Sequence, residues 1–217
     1  MTVPPSLTPQ QAWDALAAGN ERFVGGTVQH PHQDPARRDS LADGQHPHTV
    51  FFGCSDSRPT AEIIFDQGLG DMFVVRNAGQ VVGAAAVGSI EFGVGILQAP
   101  LLLVLGHESC GAVRAAIDST RVDAPALPPA IWRLIATIVP TVQRVMRADH
   151  TSPDTVDAAR VGREHVRDTV AELLGSSAMI ANAVADGRLG IVGAVYNLGE
   201  GTVVPHVTAG PITIAGL

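Results

Sequence analysis

The sequence predicts an α/β protein: a mainly parallel central sheet with an antiparallel edge strand, flanked by helices and preceded by an N-terminal arm helix. Four short runs carry the sheet, HTVFFG (48–53), MFVVRN (72–77), LLLVLG (101–106) and IVGAVYN (191–197). They are apolar or β-branched almost throughout, as strands covered on both faces are. Helical stretches separate most of them, the pattern of parallel strands joined by crossover helices. Beyond the last run, Leu198–Gly201 reads as a hairpin turn into TVVPHV, so one edge closes with an antiparallel strand. Pro205 suits an edge, where its missing N–H leaves no ladder bond unmade.

The remaining elements follow from local signals. Thr8 before Pro9 starts a helix over 9–23, the hydroxyl capping it and the proline harmless at the first helical position. Trp13, Leu16 and Ala17 recur there at helical spacing, a stripe suited to embracing a second subunit. From Gly25 to Pro47 the chain reads as a long connection with a short helix near 36–43, and connections of that length often carry function. Helices are expected over 83–98, 111–119 and 130–149, the last bent at Pro140. A long helical region over 153–186 is expected to break near Gly175. Residues 83–106 are almost continuously apolar, but Glu91 interrupts them and Pro100 would break a single helix. Two buried elements fit better than a membrane span.

The 217 residues, 46% of them hydrophobic, suffice for one substantial core, so one domain is expected over 1–217, with 1–47 as arm helix and linker. A net charge of −7 without clustered Lys and Arg argues against a general nucleic-acid binder, because phosphate neutralisation needs such clusters. The N-terminus lacks the basic-then-apolar pattern of a secretory leader, so neither export nor cleavage is expected. The two cysteines, Cys54 and Cys110, make no disulfide framework. They read as reduced thiols in the cytoplasm, with a single bridge between them left open.

Those cysteines carry the chemistry. CSDSR (54–58) ends the first strand run and GHESCG (106–111) ends the third. Open α/β sheets bind ligands at such strand ends. If the two strands are neighbours, Cys54, His107 and Cys110 converge, and two thiolates with one imidazole suit zinc. Three protein ligands leave a fourth position, the mark of a catalytic rather than a structural site. Asp56 could fill that position, or Arg58 could hold it away in a bidentate ion pair.

Each feature alone has a plainer reading. A lone buried cysteine is usually a small core residue, Asp56 alone would be a turn residue, and Arg58 alone a surface charge. His30, His32, His46, His48, His150, His165 and His206 lack metal-ligand context and read as surface or packing residues. Residues 68–73 lack the third glycine of a dinucleotide loop, and no phosphate loop or G-x-S-x-G elbow occurs.

At these residues the chain resembles the β-class carbonic anhydrases. The match runs in order through CSDSR (54–58), GDMFVVRNAG (70–79), GSIEFGV (88–94), GHESCGAV (106–113) and GRLGIVGAVYNLGEG (187–201). The resemblance implies a mainly parallel α/β fold, homodimers or tetramers, one zinc per chain, and reversible hydration of carbon dioxide to bicarbonate and a proton. It makes Cys54, His107 and Cys110 the zinc ligands and Asp56 with Arg58 the dyad that gates the fourth position. Asp56 would bind zinc in a closed, inactive form and pair with Arg58 in the open one. It also makes Gln45 a donor to a substrate oxygen, and Phe73 and Phe92 the walls of an apolar carbon dioxide pocket; the plainer readings are a loop amide and core packing. Some relatives bind bicarbonate at a tryptophan, a glycine and an arginine. Gly53 and Arg76 fit two of those positions but Phe51 stands at the tryptophan's, so inhibition by that route is not expected.

Two thiolates already cancel the charge of a zinc dication, so the pKa of its water should lie higher than at an all-histidine site, and activity should rise with pH. Two other functions are weighed against this one. In a non-catalytic zinc protein Asp56 would be a permanent fourth ligand. In a related hydrolase the same centre would act on carbon disulfide or carbonyl sulfide.

Overall fold

The computed structural model describes residues 7–217, and the first six, to which the expectation about a leader partly refers, lie outside the described residues. Along the chain come α1 (Pro9–Val24), α2 (Pro35–Ser40), β1 (Thr49–Cys54), α3 (Ala61–Ile64), β2 (Met72–Asn77) and α4 (Ala84–Glu91), which continues as a π-helical turn, Phe92–Ile96. Then follow β3 (Leu101–His107), α5 (Gly111–Asp118), α6 (Pro129–Ile135), α7 (Val139–Asp149), α8 (Ala158–Ser176), α9 (Ala178–Ala185), β4 (Gly190–Tyr196) and β5 (Val203–Ala209). The sheet order is β2-β1-β3-β4-β5, parallel except for the antiparallel β4–β5 pair. Pro205 pairs with Ala194 where the β4–β5 register slips, which removes the need for its missing N–H.

Successive side chains of a strand point to opposite faces, and both faces here are covered. Phe51, Leu103, Leu105 and Val192 pack with Trp13 and Leu16 of α1 and Ile64 of α3. Val50, Phe52, Leu102 and Val104 pack with Ile90 of α4, Val166 and Leu173 of α8 and Ile180 of α9. A third apolar cluster gathers Cys54 and Cys110 with Val113, Ile117, Ile138, Val142 and Val161. The cysteines thus close the end of a core. No helix among the described residues is long and apolar enough to cross a membrane.

The arm helix forms as expected, with the Thr8 hydroxyl accepting from Gln11 N–H and the Gln11 side chain accepting from Thr8 N–H. It does not reach for a partner with Trp13 and Leu16, however. Both lie in the chain's own core, and Gly19 packs so closely on Phe65 that an added Cβ would stand 1.8 Å from its carbonyl oxygen. Buried Asn20 fastens the helix, donating to Ile64 O (3.0 Å) and Gly201 O (2.8 Å) and accepting from Val203 N–H (2.9 Å). The following linker is tied down by two carboxylates. Asp66 accepts from Arg22 and from Gln29 and His30 N–H, and Asp71 bonds His32, Arg37 and Gly68 N–H.

The helices depart from the sequence reading at several points, and α8 begins at Ala158, not 153. Pro140 does not bend one helix; it sits in the first turn of α7, after a break that ends α6 at Ile135. The break in 153–186 falls at Ser177, not Gly175, because Ser177 is extended, accepts from Ile180 N–H to cap α9, and donates to Glu91 at 2.6 Å. The four-residue α3 carries too short a pattern to announce itself. Replacing Asn20→Ala strands three backbone groups, that of Ile64 buried and those of Gly201 and Val203 half-buried, and is expected to cost about 2 kcal/mol, read as a lower urea midpoint at unchanged slope.

Candidate metal centre

Strand order places the centre. The chain leaves β1 to one side for β2 and crosses to the other for β3, and in a 2-1-3-4-5 order a crevice opens at the C-terminal ends of β1 and β3. Cys54 is the last residue of β1 and His107 the last of β3, with Gly53 opposite Leu105 in the ladder. Ser109, at a left-handed φ of 51°, then turns the chain so that Cys110 becomes the N-cap of α5. Cys54 Sγ and Cys110 Sγ lie 3.9 Å apart. With a ring nitrogen of His107, the three donor atoms fall within 4.8 Å of one another.

This set fits zinc. Two sulfurs each about 2.3 Å from a tetrahedral zinc stand about 3.8 Å apart, so the thiol pair already has the required span. The buried His107 ring donates from Nδ1 to Glu108 O at 2.9 Å. A carbonyl only accepts, so the proton is on Nδ1 and Nε2 offers a lone pair, the arrangement usual for a metal-ligating histidine. That Nε2 is buried without a hydrogen-bond partner.

The electrostatics favour a thiolate at Cys54. Its pKa is lowered well below that of an ordinary thiol, first by the hydrogen bond shared with Cys110, against burial, and then by His107 and the N–H groups of Gly79 and Asp56. The two N–H groups stand 3.3 Å and 3.5 Å from the sulfur. Cys110, which shares a proton with Cys54 across that contact, is pushed up by the same bond and by burial. Placing a dication on both sulfurs requires loss of that proton, so metal loading releases it.

Asp56 is turned to Arg58 along both oxygens. Arg58 Nε and the Arg58 N–H donate to Oδ1 at 2.8 Å and 3.0 Å, and Nη2 donates to Oδ2 at 2.7 Å. These bonds hold the carboxyl well below the usual carboxylate range. Oδ2 is 4.0 Å from His107 Nε2, so the carboxylate borders the donor set while Arg58 engages both oxygens and leaves Oδ2 one free lone pair. Arg58 Nη2 also donates to Ser109 O at 3.2 Å, which joins the two metal-bearing turns. Arg76 fastens the first of them, donating from Nε to Cys54 O at 2.8 Å and from Nη2 to Asp56 O. Two of its guanidinium nitrogens are thus engaged by the protein backbone.

The other named residues lie elsewhere on the chain. Phe73 pairs with Val50, four residues before Cys54 in β1, which is about 13 Å along the strand. Phe73 and Phe92 stack on each other with centroids 5.9 Å apart. Phe92 opens the π-helical turn and stays 46% exposed. Gln45 is exposed and precedes His48, whose N–H bonds to Asp71 O at the opposite end of β1 from Cys54. The single chain therefore brings together Cys54, Asp56, Arg58, His107 and Cys110, but not Gln45, Phe73 and Phe92. Sequence reasoning passed over the Gly79 N–H and the Glu108 and Ser109 carbonyls, since backbone groups leave no residue type to read; a glycine just past a strand end was the available signal for Gly79.

Comparison with known proteins supplies the family. The family model described as carbonic anhydrase matches residues 49–203. Carbonic anhydrase 2 of Mycobacterium tuberculosis is 47% identical over 201 residues, 92% of this chain and 94% of its own length. The carbonic anhydrase of Mycolicibacterium smegmatis is 45% identical over 200 residues, with the same coverage of 92% and 94%. In structure, the β-carbonic anhydrase CafA of Aspergillus fumigatus superposes with a TM-score of 0.70 at 24% identity, covering 89% of this chain and 90% of its own. One of two tetrameric β-carbonic anhydrases from Sordaria macrospora gives a TM-score of 0.70 at 22% identity, covering 92% and 99%. Strand order, donor set and sequence identity thus place the chain in the carbonic anhydrase family, with the β-class fold.

Proposed function

We propose that the chain hydrates carbon dioxide reversibly to bicarbonate and a proton, as a zinc-dependent carbonate dehydratase. The observation that carries this reading is the pairing of Asp56 with Arg58 beside a three-donor cluster. A carboxylate so engaged leaves the fourth metal position to water, which a structural site would not do. Nothing in the site favours carbon disulfide or carbonyl sulfide over carbon dioxide.

Bound zinc would acidify a coordinated water and so supply a nucleophile near neutral pH. Cys54, His107 and Cys110 would hold the metal. Asp56, ionised throughout the working range because of Arg58, accepts a hydrogen bond from the attacking oxygen and aims its lone pair at the substrate carbon, an orientation effect sensitive to small displacements. The Gln45 amide donates to the substrate oxygen on which charge develops. Phe73 and Phe92 wall the apolar side of the pocket.

Those last three residues need a second copy of the chain. β2 is an edge strand with Val74 exposed, and Phe92, Ile96 and Met179 are also exposed. We place the homodimer contact on this face, so that Gln45, Phe73 and Phe92 of each copy serve the zinc of the other; pairs of such dimers would give a tetramer. Reduced, metal-ready thiols suit the cytoplasm.

Stopped-flow hydration on zinc-assayed protein from about pH 6.5 to 9 should show activity rising with pH. Asp56 is already ionised there, so the rise belongs to the water. Zinc-loaded protein without hydration at any of these pH values would overturn the assignment. Asp56→Ala should keep its zinc and lose about 100-fold or more in rate; loss of the metal would contradict the role given to Asp56. Mixing Cys54→Ser with Gln45→Ala subunits should restore activity, because one site of the mixed dimer is then whole. No recovery in a mixture shown to exchange subunits would place Gln45 in its own chain's site.

A further inference from the structure

The Gly79 N–H that supports Cys54 sits in a turn with little freedom of its own. Gly79 and Gln80 are both left-handed, at φ 80° and 41°, and for Gln80 that region is unfavourable. Asn77 closes the turn from within, donating to Val81 O at 2.8 Å and accepting from Val81 N–H at 2.9 Å. These bonds fix its shape, and Ser55 N–H, donating to Asn77 O at 2.9 Å, ties its first residue to the end of β1, while Gly79 lies beyond that tie. On one side it abuts α5, where an added Gly79 Cβ would stand 2.7 Å from Ala112 Cβ.

On the other side α8 presents His165. The ring is buried at 5% exposure, and Nε2 is 2.7 Å from Gly79 O. Since a carbonyl only accepts, Nε2 carries the proton, and burial favours the neutral ring. Gly79 N–H and Gly79 C=O lie in adjacent peptide planes that meet at one Cα, and because Asn77 closes the turn around them, a fixed carbonyl restricts where the N–H, 3.3 Å from Cys54 Sγ, can point. The neighbouring residue Val166 packs in the core, and burying an imidazole there is costly unless its N–H is matched. His165 is thus neither the surface residue nor the simple packing residue that the sequence suggested.

We infer that His165 is a positioning residue of the metal centre: it holds the Gly79 carbonyl and thereby aims the Gly79 N–H at the Cys54 sulfur, tuning the charge that sulfur gives to the metal. The inference rests on the reading of Cys54, His107 and Cys110 as zinc ligands. Partners of this kind that act through a ligand alter metal affinity or activity by about 10- to 100-fold when removed.

The test compares His165→Leu, which removes the donor, with His165→Gln, whose amide N–H can reach the same carbonyl. Zinc affinity is measured by chelator competition, and the sulfur-to-metal charge-transfer band is recorded on cobalt-substituted protein. The Leu variant should bind zinc about 10-fold more weakly with a shifted band, and the Gln variant should return both towards the wild type. A folded Leu variant with unchanged affinity and band, or Leu and Gln variants equally impaired, would overturn the inference. If the Leu variant does not fold, 113Cd-substituted wild-type and Gln proteins decide. Scalar coupling from cadmium to the Gly79 amide proton in both supports the relay, and its absence from the wild type or its loss in the Gln protein ends it. Wild-type protein that binds no zinc would instead remove the metal-centre reading itself.

Discussion

Parallel pairing of β1 with β3 is the constraint on which the rest depends. It sets two strand ends side by side on the same edge of the sheet, one finishing in Cys54 and the other in His107. Because β2 is laid on the far side of β1, the connections diverge and the gap above those ends stays open. A slip of one residue in either strand would turn its side chains to the other face and part Cys54 from His107. The register thus assembles the donors.

Around that point the protein spends mainly backbone groups and arginines. N–H groups of Asp56 and Gly79 point at Cys54, and the Glu108 carbonyl fixes the His107 tautomer. Arg76 grips the carbonyls of Cys54 and Asp56, while Arg58 links the Asp56 carboxylate to Ser109 O. Two thiolates neutralise a dication, and N–H donors draw density from the Cys54 sulfur. The centre therefore balances strong metal binding against the acidity its water needs. Arg58 keeps the neighbouring carboxylate from tipping that balance further towards negative charge.

Much of this was legible in the sequence because it is written in residue types. Strands buried on both faces announce themselves as apolar runs, and the two cysteines at the ends of such runs, with His107 three residues from one of them, point to a metal. What was not legible depends on contacts remote in sequence. Trp13 and Leu16 look the same whether they cover their own sheet or a neighbour's, and only the close approach at Gly19 and the bonds of Asn20 distinguish the two. Pro140 reads as a bend or as a helix start until the preceding turn is seen to end at Ile135. That Phe73 and Phe92 lie away from the Cys54 end of β1 is not visible in the sequence, since position along a strand shows only once its register is known. His165 was passed over because its partner is a carbonyl 86 residues away.

The most direct test of this account is a crystal structure of zinc-loaded protein at about pH 8, where Asp56 is fully ionised. It should show one zinc per chain on Cys54 Sγ, His107 Nε2 and Cys110 Sγ, with Asp56 still paired to Arg58 and a solvent molecule in the fourth position. Zinc bound elsewhere, or held at that pH by Asp56 as a fourth protein ligand, would contradict it.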